Sequence, residues 1–115
     1  MVHYHYQQLA WRLDWEEDTA DWLKLVAMGH GYELGELQVI FTTDAVLHQL
    51  NIEIMEHNWL TDIITLDHSP RGSKLLFGDL YISIDRVQEN AEAYEQRFID
   101  ELHRVLVHGL LHLMG

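Results

Sequence analysis

Cysteine is absent from this chain, and proline occurs once, at Pro70. No thiolate can act as nucleophile or metal ligand, and no disulfide can staple the fold, a usage that fits a reducing cytoplasm. The lone proline lies in Ser69-Pro70-Arg71-Gly72, so no proline interrupts a helical or strand pattern elsewhere. Long apolar runs are missing too. The longest, residues 105–114, is too short to span a bilayer, and Met-Val-His-Tyr-His-Tyr lacks the basic start and apolar core of a secretion signal. Basic residues are the remaining scarcity: 7 Lys and Arg stand against 19 Asp and Glu, a formal net charge of −12. Residues 1–67 hold 12 of the acids and only Arg12 and Lys24, whereas residues 68–115 hold Arg71, Lys74, Arg86, Arg97 and Arg104. Broad non-specific nucleic-acid binding, which requires many neutralised phosphates, is thereby excluded. A local cationic site remains open, above all where a divalent ion adds charge.

With 115 residues the chain is expected to form one domain, 1–115, with a core large enough to need no covalent staple. Residues 3–6 read as a short edge strand. Asp18 and Thr19 are N-cap types, followed by Trp22, Leu25, Val26 and Gly29 at helical spacing. Residues 36–42 alternate Leu37, Val39 and Phe41 against Gln38, Ile40 and Thr42, which predicts a strand. Thr43-Asp44 caps a second helix whose inner stripe is Leu47, Leu50 and Ile54. The β-branched residues 61–66 read as a central strand, residues 67–74 as a turn-rich loop, and residues 79–84 as the partner strand. Asp85 then caps a helical region that is long for one helix, with a break expected near residues 92–96. Because the two middle strands are joined by a loop without a crossover helix, the expected class is α+β: a small mixed sheet of about four strands covered by helices.

The chemistry concentrates at the end of the chain, in His103-Arg-Val-Leu-Val-His108-Gly-Leu-Leu-His112-Leu-Met-Gly115. Residues four apart lie on one helix face, so His108 and His112 point the same way and can share one ion. A His pair at this spacing is common by chance, but its neighbours are apolar or glycine. The helix is therefore expected to sit centrally, with two buried imidazoles that a metal would satisfy. Neutral imidazole suits zinc or another borderline first-row ion. Gly109 stands where His-Glu-x-x-His peptidases carry their general base, which excludes that chemistry, and it lets a strand or substrate approach the helix. Gly115 suits a helix C-terminus, and His-x-x-x-His-x-x-Gly matches the start of a longer zinc motif in which a third histidine returns.

These residues resemble the YbeY family of rRNA-maturation endoribonucleases. His108-Gly-Leu-Leu-His112-Leu-Met-Gly115 agrees with the family pattern His-Gly-x-Leu-His-Leu-x-Gly at every fixed position. Gly78-Asp79-Leu80-Tyr81-Ile82-Ser83, Thr61-Asp62-Ile63-Ile64-Thr65-Leu66 and Leu50-Asn51 are similar to its upstream blocks. The resemblance implies a cytoplasmic, metal-dependent endoribonuclease that prefers single strands and acts in 16S rRNA maturation and ribosome quality control. Its partners would be single-stranded rRNA and small-subunit proteins. It implies one divalent ion, zinc above all, held by His108, His112 and a third histidine beyond Gly115. The chain thus reads as a member cut short within its metal motif, with impaired activity. Met55 stands where the family carries an arginine after an aromatic, with His57 as a partial substitute donor.

Other residues are weaker candidates. Asp62 and Asp79, at expected strand starts, are possible proton acceptors, although turn and cap roles are more common there. Arg71 and Lys74 are candidate RNA-backbone contacts on the loop. Trp11, Trp15, Trp22 and Trp59 are candidates for stacking on bases, with Trp22 expected in the core. His3, His5, His30, His48, His68 and His103 are read as structural or exposed. Two rival functions remain: an acidic, non-catalytic ribosome-associated adaptor, and a metal hydrolase of another substrate.

Overall fold

Alternating apolar residues build the strands, and the computed structural model, which describes residues 1–115, shows where they pair. The order is β1 (Val2–Tyr6), α1 (Glu16–Gly29), β2 (Glu33–Thr42), α2 (Asp44–Met55), β3 (Ile63–Asp67), β4 (Leu75–Ser83), α3 (Ile84–Ala93) and α4 (Phe98–Met114). The four strands form one sheet in the order β1-β2-β4-β3. β1 and β4 flank β2 in parallel, and β3 pairs antiparallel with β4. The fold is the expected α+β class with a mixed four-stranded sheet.

One face of the sheet carries the main core. Leu37, Val39 and Phe41 of β2 and Leu76, Leu80 and Ile82 of β4 meet Leu23 and Ala27 of α1 and Leu102, Leu106 and Leu110 of α4. Ile40 and Ile64 alternate onto the other face, and α2, packed against β3, β4 and α3, buries Leu47 and Asn51.

Several expectations are corrected. β3 is an edge strand and β4 is central. The β-branched run at residues 61–66 reflects cover by helices on both faces, with Ile63 under α4, rather than neighbours on both edges. α1 begins at Glu16 behind Trp15, which has a left-handed backbone (φ 56) and makes no side-chain cap bond. Glu16, Glu17 and Asp18 instead complement the helix dipole from the first turn. Its buried stripe is Thr19, Leu23 and Ala27, and Leu25 is 64% exposed. In α2 the buried positions are Leu47 and Asn51, with Ile54 turned outward. Ser83, not Asp85, caps α3, because its hydroxyl accepts from the Arg86 N–H at 3.1 Å, while Asp85 accepts from the Asp44 N–H at 2.9 Å. The expected break falls between Ala93 and Phe98. No helix is long and apolar enough to cross a membrane.

Candidate metal centre

α4 has two faces. Leu102, Val105, Leu106, Gly109, Leu110 and Leu113 are buried at helical spacing, and this leaves His108, Leu111 and His112 exposed. The expectation of a central helix with buried imidazoles is therefore corrected: α4 lies over the β3–β4 side of the sheet with one face open. Glycines set its depth. A Cβ on Gly109 would stand 2.6 Å from Ile63 Cδ1 and 3.0 Å from Leu80 Cδ2, and one on Gly78 would stand 2.7 Å from Leu113 Cδ2. Close approach at these two points brings the histidine-bearing turns down to the start of β3.

The two imidazoles lie side by side, ring centroids 5.2 Å apart and planes 29° apart. They line a groove of about 280 Å³ together with Asn51, Met55, His57, Trp59 and residues 61–65. As donors, two neighbouring imidazoles on one helix face suit zinc or a similar ion. No third His, Cys, Asp or Glu joins them in a ligand group.

Asp62 is the only carboxylate lining the groove. Its Oδ2 lies 3.5 Å from Arg104 Nη2, one turn before His108 on α4. Arg104 in turn makes two hydrogen bonds to Glu101, at 2.9 and 2.6 Å, and Glu101 is only 2% exposed. The Glu101 hydrogen bond raises the Arg104 pKa above its already high ordinary value and orients the guanidinium, whose charge faces Asp62 across the gap between α4 and the start of β3.

The other candidates are dispersed. Asp79 lies within β4, not at its start, and its carboxylate accepts from His68 Nε2 at 2.9 Å, away from the groove. Arg71 and Lys74 line a separate hollow with Tyr32 and residues 113–115, at the C-terminal end of α4. Lys74 Nζ sits 4.4 Å over the Tyr32 ring, and the Tyr32 hydroxyl donates to the Met114 carbonyl at 2.9 Å. Trp11 is wedged edge-on against Phe41 and Phe98, Trp22 faces His103, and Trp15 is exposed elsewhere. Only Trp59 shares the groove with the histidine pair. His3 and His5 take separate partners, Glu36 and Gln38.

Sequence reasoning missed the tether between Arg104 and Asp62 and the stacking of His57 on Trp59. Glu101-x-x-Arg104 at helical spacing was a signal for half of the tether. Nothing local points to Asp62, which is 42 positions away in the chain.

Comparison with known proteins points to one family. The family profile described as Endoribonuclease YbeY matches residues 3–115. A protein named Endoribonuclease YbeY from Bacteroides thetaiotaomicron is 43% identical over 100 residues, which is 87% of this chain and 72% of the relative. Relatives of the same name from Cytophaga hutchinsonii and Flavobacterium johnsoniae are 40% and 37% identical, covering 99% and 100% of this chain and 79% and 81% of their own lengths. The solution structure of TM1509 from Thermotoga maritima matches the whole chain and 73% of its own with a TM-score of 0.62 at 22% identity, a likeness of fold.

Proposed function

The chain belongs to the YbeY family of endoribonucleases, and from that premise we propose that it is a metal-dependent endoribonuclease of single-stranded RNA. Its setting would be 16S rRNA maturation and ribosome quality control in the cytoplasm, beside small-subunit proteins. The observation that carries this reading is the paired His108 and His112 rings opening into a groove whose sole carboxylate is Asp62.

In this reading His108 and His112 hold the ion. When bound, it supplies Lewis-acid stabilisation of a phosphate oxygen and lowers the pKa of a water molecule. Arg104 fixes the Asp62 carboxylate through Oδ2, leaving Oδ1 to accept a proton. Arg71 and Lys74, at the far end of α4, hold the RNA backbone by charge. Met55, exposed at the groove, offers no charge to a phosphate, so the groove itself binds RNA through other contacts.

The test is cleavage of an end-labelled single-stranded RNA by metal-stripped protein. Cutting is expected only after zinc or manganese is restored, faster than for the duplex, and lost in His108→Ala. Cutting that survives both chelation and His108→Ala contradicts the reading. The exposed acids Asp14, Glu16, Glu17 and Asp18 around Trp15 favour a second reading, an adaptor for basic ribosomal proteins. Small-subunit association with RNA left uncut in the same assay selects it. Metal-restored cleavage of a non-RNA ester alone selects the other rival, a hydrolase of a different substrate.

A further inference from the structure

Between α2 and β3 the chain builds a fixed aromatic stack beside the histidine pair. α2 ends at Met55, and Glu56 takes a left-handed backbone (φ 57) that turns the chain back. The His57 N–H then donates to the Asn51 carbonyl at 3.0 Å. The Asn51 side chain, 3% exposed, donates to the Trp59 carbonyl at 2.9 Å. One buried asparagine therefore anchors the segment at two points, and both bonds run to backbone rather than to the rings. The result is a parallel stack of the His57 imidazole on the Trp59 indole, centroids 4.2 Å apart and planes 17° apart. His57 covers one side of the indole, yet Trp59 remains 58% exposed.

Trp59 is thus an indole held in place yet more than half open, whereas Trp11 packs into the core and Trp15, more exposed still, lies away from the groove. The position of Trp59 identifies what fits there. Its groove also holds His108 and His112 and is lined by no lysine or arginine. Phosphate contacts from the lining cannot supply the affinity in this groove, and Asp62 opposes them. The recognition chemistry left at this point is the face of an aromatic ring, which suits the π-face of a nucleobase.

We infer that the outer face of Trp59, backed by His57, is a subsite for one unpaired nucleobase flanking the scissile phosphate. This rests on the reading of the chain as an RNA-cutting enzyme and adds the origin of its strand preference. A base within a duplex has both faces stacked on neighbours and cannot lie on the indole, whereas an unpaired base can. Because every base has a π-face, the subsite selects for single-strandedness and not for sequence.

The test needs no metal. Binding of a fluorescein-labelled single-stranded RNA 12-mer is measured by anisotropy in chelator, for the wild type, Trp59→Ala and Trp59→Phe. Thermal melts accompany each, since an exposed ring can be truncated without opening the core. Stacking of about 1–3 kcal/mol per base predicts a Kd raised about 5- to 150-fold in Trp59→Ala. Phe should recover most of the loss, and tryptophan fluorescence should be quenched by the RNA in the wild type but much less in Trp59→Phe. In the zinc-restored cleavage assay the same change should raise KM with little change in kcat. If the wild type binds and cuts single-stranded RNA but Trp59→Ala binds it equally tightly, the subsite is refuted and the nuclease reading stands. If the wild type binds RNA but never cuts it while Trp59→Ala weakens binding, the nuclease reading fails and the base site survives. Failure of the wild type to bind single-stranded RNA removes both.

Discussion

At Gly109 the missing side chain decides how far α4 settles onto the sheet, and so where His108 and His112 are presented. Alanine there would gain up to about 1 kcal/mol of helix propensity. It would also press a Cβ to 2.6 Å from Ile63 Cδ1, and overpacking of this kind costs about 1–3 kcal/mol. Every atom met is the end of a flexible side chain that can turn aside, so the two effects nearly cancel in urea stability, and Gly109→Ala should act through weaker zinc binding as the histidine-bearing turns shift over β3. Unchanged zinc affinity would show that Ile63 and Leu80 yield to the added Cβ without moving α4. Gly109 was legible from sequence as a point of close approach. Asn51 was not: the apolar periodicity of α2 pointed to Leu50 and Ile54, but the inward position goes to an amide whose partners lie in the following loop.

Helix ends show how neighbouring elements fix one another. The Ser83 cap of α3 also donates its hydroxyl to Asp44 Oδ1 at 2.6 Å, and Arg86 donates to Asp44 Oδ2 at 2.8 Å. Asp85 returns the favour by accepting from the Asp44 N–H, so the starts of α2 and α3 cap each other. Asp44→Ala leaves the half-buried Arg86 without its hydrogen-bonded carboxylate, with only Glu89 nearby, and should cost about 1–2 kcal/mol by thermal or urea unfolding; a loss below measurement would refute the coupling.

A second junction ties β1 to α1, where the Tyr6 hydroxyl donates to Glu16 Oε2 at 2.5 Å. Burial first, then this bond, raises the Tyr6 pKa to about 12, and burial raises that of Tyr4 as well. A raised folded pKa stabilises the protein fully below the ordinary tyrosine value of 10.0 and loses that effect as pH climbs through about 12. Stability should therefore fall across that interval, and Tyr6→Phe should flatten the fall; an equal slope in the variant would contradict the assignment. The strands, the α3–α4 break and the Thr43 cap were legible because alternation and cap residues are local signals. The neighbours of β3 were not, since cover by helices on both faces gives an edge strand the composition of a central one.

Across the whole molecule, the candidate site joins residues 51–65 to the turns of α4 that begin at Arg104. The histidine half was readable from a four-residue spacing. The Trp59 and Asp62 half depends on where α4 crosses the sheet, which no periodicity encodes. The charge distribution also belongs to this scale: acids crowd the front of the chain, so Arg71 and Lys74 form a local cationic spot on a mostly negative molecule. The proposed activity requires His108 and His112 to bind an ion together. Zinc titrated calorimetrically into metal-stripped protein should bind at one ion per chain, and the heat should vanish in both His108→Ala and His112→Ala. Equal zinc binding by those variants, or none by the wild type, would contradict the account.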